Sequence, residues 1–276
     1  MLFRSWPRVG EPNPLIPGFC ASAAAAFLDV VTWHYYPQQS SRGKIAVLRC
    51  DEGTMLKPRN LDAVRKAARR IRKSVERAKR CRPSHRPVRN WVTETAHALY
   101  GGEPGLSDTF ASTLWWLDEL GVLAQEGVSK VFRQSLIGSD YGLLSQEEIR
   151  PRPDYYAALL WKRFMGRRVL DPKGLVADAD PYLRVYIHGD GKGALSILGV
   201  NIHRRRASRL MLRPAPGTDG SAFASAERLI LCGHGGFTSR ILSVNGVSAE
   251  EDLIFAPEAE ETMGKYRIRA QIGRAS

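Results

Sequence analysis

Strand-type runs and helix-type periodicities alternate along the first 166 residues of the chain. Runs of β-branched and aromatic residues predict strands at 27–37 (FLDVVTWHYYP), 87–94 (PVRNWVTE) and 127–136 (GVSKVFRQSL). Between the first two, residues 60–80 place an apolar side chain at every third or fourth position, which predicts an amphipathic helix. Residues 107–121 and 152–166 predict two further helices. Strands that alternate with helices are typical of a parallel α/β fold.

The residues at the ends of these helical segments predict where each helix begins and ends. Asn60 and Ser107 are of the type that caps a helix N-terminus, and Pro153 fits the first turn of the third helix. Gly121 is expected to end the second helix, since glycine commonly follows the last helical residue.

After about residue 168 the pattern changes to short strand-type runs with turn residues between them and no intervening helix. This pattern predicts an antiparallel β-sandwich. The chain is therefore divided into a first domain at 1–167 and a second at 168–276. The strand-type runs of the second domain are LRVYIHG (183–189), GALSILGVNIH (193–203), ASRLMLRP (207–214), ERLILCG (227–233), SRILSVNG (239–246) and KYRIRAQIG (265–273).

Composition narrows the class of protein. Of the 276 residues, 43% are hydrophobic, which is enough for a core, and no run reaches the roughly 18 apolar residues of a membrane span. No export signal is visible at the N-terminus. The four cysteines are scattered without a CxxC pair, so we expect no metal site, and nothing indicates a cofactor. The net charge of +13 favours a polyanionic partner: nucleic acid, an anionic membrane or an acidic polysaccharide.

Much of the positive charge lies in one segment. Residues 57–89 contain fourteen Lys and Arg against two acidic residues, Asp62 and Glu76, and a second basic run, HRRRASR, lies at 203–209. The helix of the first segment either presents a solvated face or attracts a sulfated or carboxylated polysaccharide, with an affinity that salt would weaken. Aromatic residues do not interleave with either run, which disfavours a platform that stacks single-stranded nucleic acid.

Polar and aromatic residues collect where the predicted parallel strands end, which is where α/β barrels carry their functional groups. A carboxylate, a histidine and several aromatic rings at one edge suit a sugar-binding cleft, because a carboxylate can stabilise or attack an anomeric carbon. Each residue also has a plainer explanation, such as a surface carboxylate that ends a strand, a loop histidine or a hydrophobic strand end. The candidates after the three strands are Trp33, His34, Tyr35 and Tyr36; Glu94, Tyr100, Gly101 and Gly102; and Arg133, Gln134 and Tyr141.

Five segments together resemble the heparanase family of β-glucuronidases, glycoside hydrolase family 79. The segments, in the order in which that family has them, are LDVVTWHYYPQQSSR, WVTETAHALYGG, LSDTFASTLWWLDELG, FRQSLIGSDYGLL and PRPDYYAALLWKRFMGRRVL. The resemblance implies a retaining hydrolase that cleaves β-linked glucuronic acid in glycans without a cofactor. It also implies a (β/α)₈ TIM barrel with a C-terminal β-sandwich, in a secreted, cell-surface, lysosomal or periplasmic protein.

The same resemblance assigns roles to particular residues. It implies that Glu94 is the catalytic nucleophile and that Gly101 and Gly102 help to hold the sugar carboxylate through backbone N–H groups. Tyr100 lies one residue further from Glu94 than the family pattern has it. The residues expected to bind substrate are His34, Tyr36, Tyr100, Gly101, Gly102, Gln134 and Tyr141.

The segment before the predicted sandwich is short for a whole barrel, which takes about 250 residues. It resembles the C-terminal half of the family barrel, from the fifth strand to the eighth, with a short strand at 7–12 as the fifth. The Asn-Glu pair that carries the family's acid/base is absent from the chain, and Glu11 is a weak substitute. Two hypotheses follow: part of a glycosidase that a further chain or segment completes, or a non-catalytic protein of that fold that binds acidic polysaccharides.

Overall fold

The protein is described by a computed structural model over residues 15–44, 46–81, 87–171, 180–208, 210, 226–248 and 258–260. No helix in these ranges is long and apolar enough to cross a membrane. The same ranges hold no group of three His, Cys, Asp or Glu side chains that could bind a metal ion. All four cysteines lie in these ranges as free thiols.

A three-stranded parallel sheet lies at the centre of the first part of the chain. It consists of β1 (Val30–Tyr35), β3 (Arg89–Thr95) and β5 (Lys130–Arg133), with β3 in the middle. Alternate side chains of β1 are buried, and these are Val31, Trp33 and Tyr35. The three strands predicted from the sequence are therefore confirmed. A second, small parallel pair is formed by β2 (Gln38–Gln39) and β4 (Ala98–Leu99).

Helices connect the strands of this sheet and cover one of its faces. Helix α3 buries a continuous apolar stripe that runs from Val64 to Ala78, as its three-to-four residue periodicity predicts. Helix α4 is different, because fourteen of its sixteen residues are buried. It lies among α3, α5 and strands of the second part. The helices are α1 (Leu15–Cys20), α2 (Pro58–Leu61), α3 (Ala63–Arg80), α4 (Phe110–Gln125) and α5 (Pro153–Phe164), with a 3₁₀ turn at Ala23–Phe27.

The predicted N-cap at Asn60 is wrong. Asn60 lies inside the short helix α2, and its side-chain amide donates to the backbone carbonyl oxygen of Thr54 at 2.6 Å. Helix α3 follows Asp62, which makes no capping hydrogen bond. The Asp62 carboxylate instead accepts from Arg184 at 2.5 Å, so an ion pair distant in sequence replaces the local cap.

Both predicted boundaries of α4 are also wrong, whereas Pro153 does lie in the first turn of α5. Thr109, not Ser107, occupies the N-cap position of α4. The Ser107 hydroxyl instead accepts from the backbone N–H of Glu103 at 2.6 Å. Gly121 is an interior residue of α4, which continues to Gln125. A methyl group at position 121 would lie 2.3 Å from Cγ of Tyr186, so glycine serves here as a contact surface for that ring.

The second part of the chain contains only antiparallel strand pairs among the described residues, as the sequence predicts. The predicted strands at 183–189 and 193–203 are observed, the second over Leu195–Asn201. The predicted strand at 227–233 is instead divided between two short strands of different sheets, Ala226–Arg228 and Leu231–Gly233. Of the predicted strand at 239–246, only Leu242–Val244 forms a strand. The sheets are β6 (Arg168–Leu170), β7 (Leu183–Gly189) and β8 (Leu195–Asn201); β10 (Leu231–Gly233), β11 (Leu242–Val244) and β12 (Val247–Ser248); and β9 (Ala226–Arg228) with β13 (Glu258–Glu260).

Some predictions fall outside the described residues. These are the short strand at 7–12 with Glu11, the strand at 265–273 and most of the strand at 207–214.

A buried ionic network joins the two parts of the chain. Nε of Arg184 on β7 donates to Oδ1 of Asp118 on α4 at 2.8 Å, and the Tyr186 hydroxyl donates to the same oxygen. Asp118 is fully buried, and burial raises the pKa of its carboxyl group while the Arg184 charge opposes that rise. Since a buried carboxylate is costly without partners, this network requires β7 to lie against α4.

We expect Gly121→Ala to lower the melting temperature of the chain by several degrees. Alanine favours a helix interior by about 1 kcal/mol over glycine, but here its methyl group would displace the Tyr186 ring. Gly18→Ala, in α1, is the matched control, because no atom lies within 4 Å of the added methyl group. Thermal unfolding followed by circular dichroism tests both variants. A Gly121→Ala chain that melts at an unchanged or higher temperature would contradict the close packing.

Candidate active site

The C-terminal ends of the parallel strands bring two of the predicted site residues side by side. Trp33 of β1 pairs with Val92 of β3, but the next pair is His34 with Glu94, so Thr93 is an extra residue on β3. This bulge turns Glu94 away from the buried helix-facing side on which Val92 and Thr95 lie. The carboxylate therefore opens towards the same side of the sheet as His34.

Two side chains of the first strand end contact the Glu94 carboxylate. The Tyr36 hydroxyl donates to Oε1 of Glu94 at 2.6 Å, and Nδ1 of His34 lies 3.6 Å from Oε2. The side chains of His34 and Glu94 are 20% and 34% exposed, so a ligand can reach both. Tyr36 donates only to Oε1, so Oε2 is the oxygen of Glu94 that is available to a ligand.

Tyr36 remains a hydrogen-bond donor because its hydroxyl resists ionisation. Burial raises the pKa of Tyr36 strongly, and the hydrogen bond to Glu94 and the negative charge of that carboxylate raise it further. The ring of Tyr36 packs against the ring of Tyr141 with their centroids 6.5 Å apart. Both rings are buried, together with Ala96. The structure thus brings together Glu94, His34, Tyr36 and Tyr141, as the sequence predicts.

The Tyr-Gly-Gly segment forms a tight loop next to this cluster. Tyr100, Gly101 and Gly102 have φ angles of 71°, 85° and 90°, a left-handed conformation that favours glycine. A side chain at position 102 would also collide with the Ser107 hydroxyl, 2.7 Å from the added Cβ. The Tyr100 ring is 43% exposed and lies against Gly43, where an added Cβ would be 2.4 Å from ring atom Cδ2.

Arg42 connects this glycine loop to the loop after β5. Its guanidinium donates to the carbonyl oxygen of Gly102 at 3.1 Å and forms an ion pair with Asp140. The backbone N–H of Asp140 donates to the carbonyl oxygen of Gly101 at 2.9 Å. The two loops therefore form one rim, and sequence analysis did not single out Arg42 or Asp140.

Gln134 directly follows β5 and is partly exposed. Its backbone N–H donates to the carbonyl oxygen of Thr95 at 2.9 Å, which extends the β3–β5 pairing by one residue. This bond places Gln134 beside the residue that follows Glu94.

A layer of buried ionisable groups supports the strand ends, and sequence analysis missed most of it. Oγ1 of Thr95 lies 2.8 Å from Oε1 of Glu119 and 2.8 Å from the carbonyl oxygen of Tyr35. One hydroxyl hydrogen cannot serve two acceptors, so this arrangement suits a protonated Glu119 that donates to Thr95. Burial raises the pKa of Glu119 from 4.5 to about 8, in agreement with that geometry.

A second buried pair lies beneath the third strand end. Nη2 of Arg133 donates to Oδ2 of Asp154 at 2.6 Å, with both side chains 4% exposed. The guanidinium lies over the rings of Trp115 and Trp116, about 5.3 and 5.2 Å from their centroids. It also donates to the carbonyl oxygen of Tyr141 at 3.2 Å, which holds that residue in place. Arg133 is therefore a support of the site rather than part of its exposed surface.

The sequence does contain a pattern that indicates this layer of buried ionisable groups. The segment LWWLDELG places two carboxylates in an otherwise apolar helix, and such residues are rarely buried unless paired. His97, to which sequence analysis gave no role, belongs to the same layer: its Nε2 lies 2.8 Å from the Ser107 hydroxyl. Burial and the Arg133 charge lower the pKa of His97, which is therefore a neutral structural residue.

Comparison with known sequences shows that this chain is similar to one group of proteins. A family model described as the N-terminal domain of glycosyl hydrolase family 79 matches residues 17–121. Heparanase-like protein 1 of Arabidopsis thaliana is 34% identical over 63% of this chain and 30% of its own length. Heparanase of Bos taurus is 30% identical over 80% of this chain and 42% of its own. The chain spans less than half the length of these relatives.

Two further similarities bear on activity and fold. A mouse protein named inactive heparanase-2 is 30% identical over 72% of this chain and 35% of its own length. Among solved structures, a 4-O-α-L-rhamnosyl-β-D-glucuronidase from Fusarium oxysporum has a TM-score of 0.59, with 20% identity, over 89% of this chain and 50% of that one. The structural similarity shows that the chain shares part of the fold of TIM-barrel glycosidases, over about half of each solved chain.

The buried Glu119 carboxyl should make stability depend on pH. Its pKa is about 8 in the folded chain, so between pH 4.5 and 8 the folded state holds a proton that the unfolded state releases. This contribution to stability is complete below pH 4.5 and is lost as the pH rises through 8. Glu119→Gln removes the titration and keeps the size of the side chain. We expect the free energy of unfolding of this variant to fall less steeply between pH 5 and 8.

Urea unfolding at several pH values measures this difference, and Glu147→Gln at an exposed position is the control. Equal pH dependence in the Glu119→Gln variant and the unchanged chain would mean that Glu119 is not protonated in the fold.

Proposed function

This chain belongs to the heparanase-like proteins of glycoside hydrolase family 79, and we propose that it carries the nucleophile half of a retaining β-glucuronidase site. The observation that carries the proposal is the Glu94 carboxylate at a strand end, held by the Tyr36 hydroxyl at 2.6 Å with its second oxygen accessible. The proposed substrate is β-linked glucuronic acid in an acidic glycan.

The contacts of Glu94 suit a nucleophile. A retaining hydrolase needs an ionised carboxylate that attacks the anomeric carbon and forms a glycosyl-enzyme intermediate. Tyr36 donates to one carboxylate oxygen, which orients the group. His34 beside the other oxygen provides a polar contact for a sugar hydroxyl. The attacking atom in this proposal is Oε2 of Glu94.

The loops around Glu94 supply the rest of the proposed sugar site. The left-handed backbone at Gly101 and Gly102 lets N–H groups approach a sugar carboxylate without interference from a Cβ atom. Arg42 holds the carbonyl groups of these two glycines, so the loop is fixed before a ligand binds. We assign Tyr100, Gln134 and Tyr141 to further substrate contacts, with Tyr141 acting through its packing on Tyr36.

The proposed architecture is the C-terminal half of a (β/α)₈ barrel, residues 1–167, followed by a β-sandwich, residues 168–276. Two observations support the first half of this proposal. The strand–helix order β1-α3-β3-α4-β5-α5 is that of successive barrel units. The sheet face opposite the helices carries the partly exposed Thr32 and Trp91 and the exposed Phe132, which a closed barrel would cover. The antiparallel sheets supply the strands of the proposed sandwich.

The second carboxyl group of the reaction is expected to come from the other half of the barrel. Retaining hydrolysis needs an acid/base about 5–5.5 Å from the nucleophile. Glu103 is committed to the backbone N–H and hydroxyl of Ser41, at 2.6 and 2.8 Å. Glu119, Asp118 and Asp154 are buried, so they cannot donate a proton to a bound glycan.

A second candidate function is non-catalytic binding of an acidic polysaccharide. The similarity to a protein named inactive heparanase-2 favours keeping this alternative. The two functions differ in one requirement. Hydrolysis needs Glu94 together with a proton donor, whereas binding tolerates the loss of both.

The chain of residues 1–276, expressed alone, is expected to show no enzymatic turnover of an aryl β-glucuronide. General acid–base catalysis is typically worth 10²–10⁴ in rate, and an incomplete cleft also loses substrate positioning. Among the described residues, β1 and β5 are the outer strands of the sheet, and any edge that stays unpaired should promote self-association, which gel filtration would reveal. Turnover that disappears in Glu11→Gln would show that Glu11 is the acid/base. Turnover that survives that change would place the acid/base on another carboxyl group.

Glu94 should be the residue that a fluorinated glucuronide inactivator labels once the barrel is complete. The preparation is this chain combined with a segment of four βα units that carries an Asn-Glu pair. Mass spectrometry of the digested protein should find the added sugar on the peptide that contains Glu94. Glu94→Gln should abolish both labelling and turnover, and Glu147→Gln should change neither. Labelling of a different carboxylate, with full activity in Glu94→Gln, would refute the proposed nucleophile.

A further inference from the structure

Two of the four cysteines lie at the edge of the parallel sheet where the strands begin. Cys20 is the last residue of α1, and Cys81 directly follows the last residue of α3. Helix α3 leads to the start of β3, where the backbone N–H of Arg89 donates to the carbonyl oxygen of Asp29 at 2.9 Å. Asp29 immediately precedes β1. This edge is opposite to the one that carries Glu94.

The helices that carry the two cysteines pack against each other. Cys20 is buried on the inner side of α1, and the buried stripe of α3 ends at Ala78, one turn before Cys81. The backbone N–H of Cys81 donates to the carbonyl oxygen of Ala78 at 3.1 Å, so Cys81 still follows the path of the helix. Burial raises the pKa of Cys20, and a negative charge on Cys81 raises it further, in agreement with two neighbouring sulfur atoms.

The two thiols differ in their access to solvent. Cys81 is exposed, whereas Cys20 is only 1% exposed. A dissolved reagent therefore meets Cys81 first. Cys20 lies with Ile16, Leu28 and Val31 around a small cavity at the start of β1, which gives its side chain room to turn towards α3.

The other two cysteines lie elsewhere in the fold. The backbone N–H of Cys50 donates to the carbonyl oxygen of Gln39, which follows the C-terminal end of β1, so Cys50 is at the opposite edge of the sheet. Cys232 is on β10, in the second part of the chain. A disulfide requires Cα atoms about 4.4–6.8 Å apart. The fold therefore favours a pair between Cys20 and Cys81.

We propose that Cys20 and Cys81 form a reversible disulfide that joins α1 to the end of α3 when a small disulfide such as oxidised glutathione is present. The Cys81 thiolate attacks one sulfur of oxidised glutathione, and the first glutathione leaves with the electron pair of the broken S–S bond. Cys20 then loses its proton to solvent and attacks the Cys81 sulfur, which releases the second glutathione. Two protein thiols are oxidised, and one oxidised glutathione is reduced to two thiols.

The cations near the end of α3 favour the first step. Arg77 and Arg80 lie in its last turn, and they attract the anionic glutathione disulfide towards Cys81.

The bond would stabilise one strand–helix unit without entering the cleft. It closes a loop that contains β1 and α3, and a closed loop restricts the unfolded chain more than the folded one. Because β1 carries His34, oxidation should also make this side of the candidate site harder to unfold. The proposal does not depend on the proposed hydrolase function.

Oxidation of the full chain tests the disulfide. The reduced protein, at low concentration, is incubated with oxidised glutathione and analysed by mass spectrometry. We expect a loss of two hydrogen atoms and, after digestion without reductant, two peptides joined through Cys20 and Cys81. The melting temperature should rise by several degrees, and dithiothreitol should reverse both changes.

Three variants serve as controls. Cys232→Ser should keep the bond and the rise in melting temperature, and Cys81→Ser should lose both. Cys20→Ala should instead keep one glutathione on Cys81; if this variant unfolds, the exposed Cys81→Ser decides alone.

Several results would overturn the proposal. These are glutathione that stays on Cys81 of the unchanged chain, a bond between two molecules, a bond between other cysteines, or an unchanged melting temperature after oxidation.

Discussion

The complete burial of α4 is the constraint on which the rest of the structure depends. Fourteen of the sixteen residues of this helix are buried, although the helix contains Asp118 and Glu119. Each polar group therefore needs a partner from another element, and each partner fixes that element in place. Thr95 of β3, Arg184 of β7 and Asp154 of α5 are such partners, so one helix orients the parallel sheet, the antiparallel strands and the last helix together.

The exposed chemistry is built on this buried layer. Thr95 immediately follows Glu94, and its hydroxyl group is held by Glu119 and the carbonyl group of Tyr35. These contacts fix the end of β3. On the other side, Arg133 holds the carbonyl group of Tyr141, whose ring supports Tyr36. The position of the Glu94 carboxylate thus depends in part on buried groups such as Glu119 and Arg133. Such support keeps a reactive side chain in one geometry before a substrate arrives.

The cations of α3 differ in their surroundings. Arginines on one flank of the helix neutralise Glu126, whereas other cations of α3 extend into solvent. This division does not follow from net charge alone. The division arises because α3 packs beside α4, which brings the Glu126 carboxylate against one flank and leaves the other side open to solvent.

The sequence by itself determined the strand–helix alternation, the later change to antiparallel strands and the residues at the strand ends, including Glu94, His34 and Tyr36. Period and residue type along the chain carry that information, because they record which side of each element is buried. Only the tertiary structure decided where the bulge orients Glu94 and how α3 and α4 begin. It also decided that Gly121 packs against the ring of Tyr186. These features depend on partners far apart in sequence, and local pattern does not record such contacts.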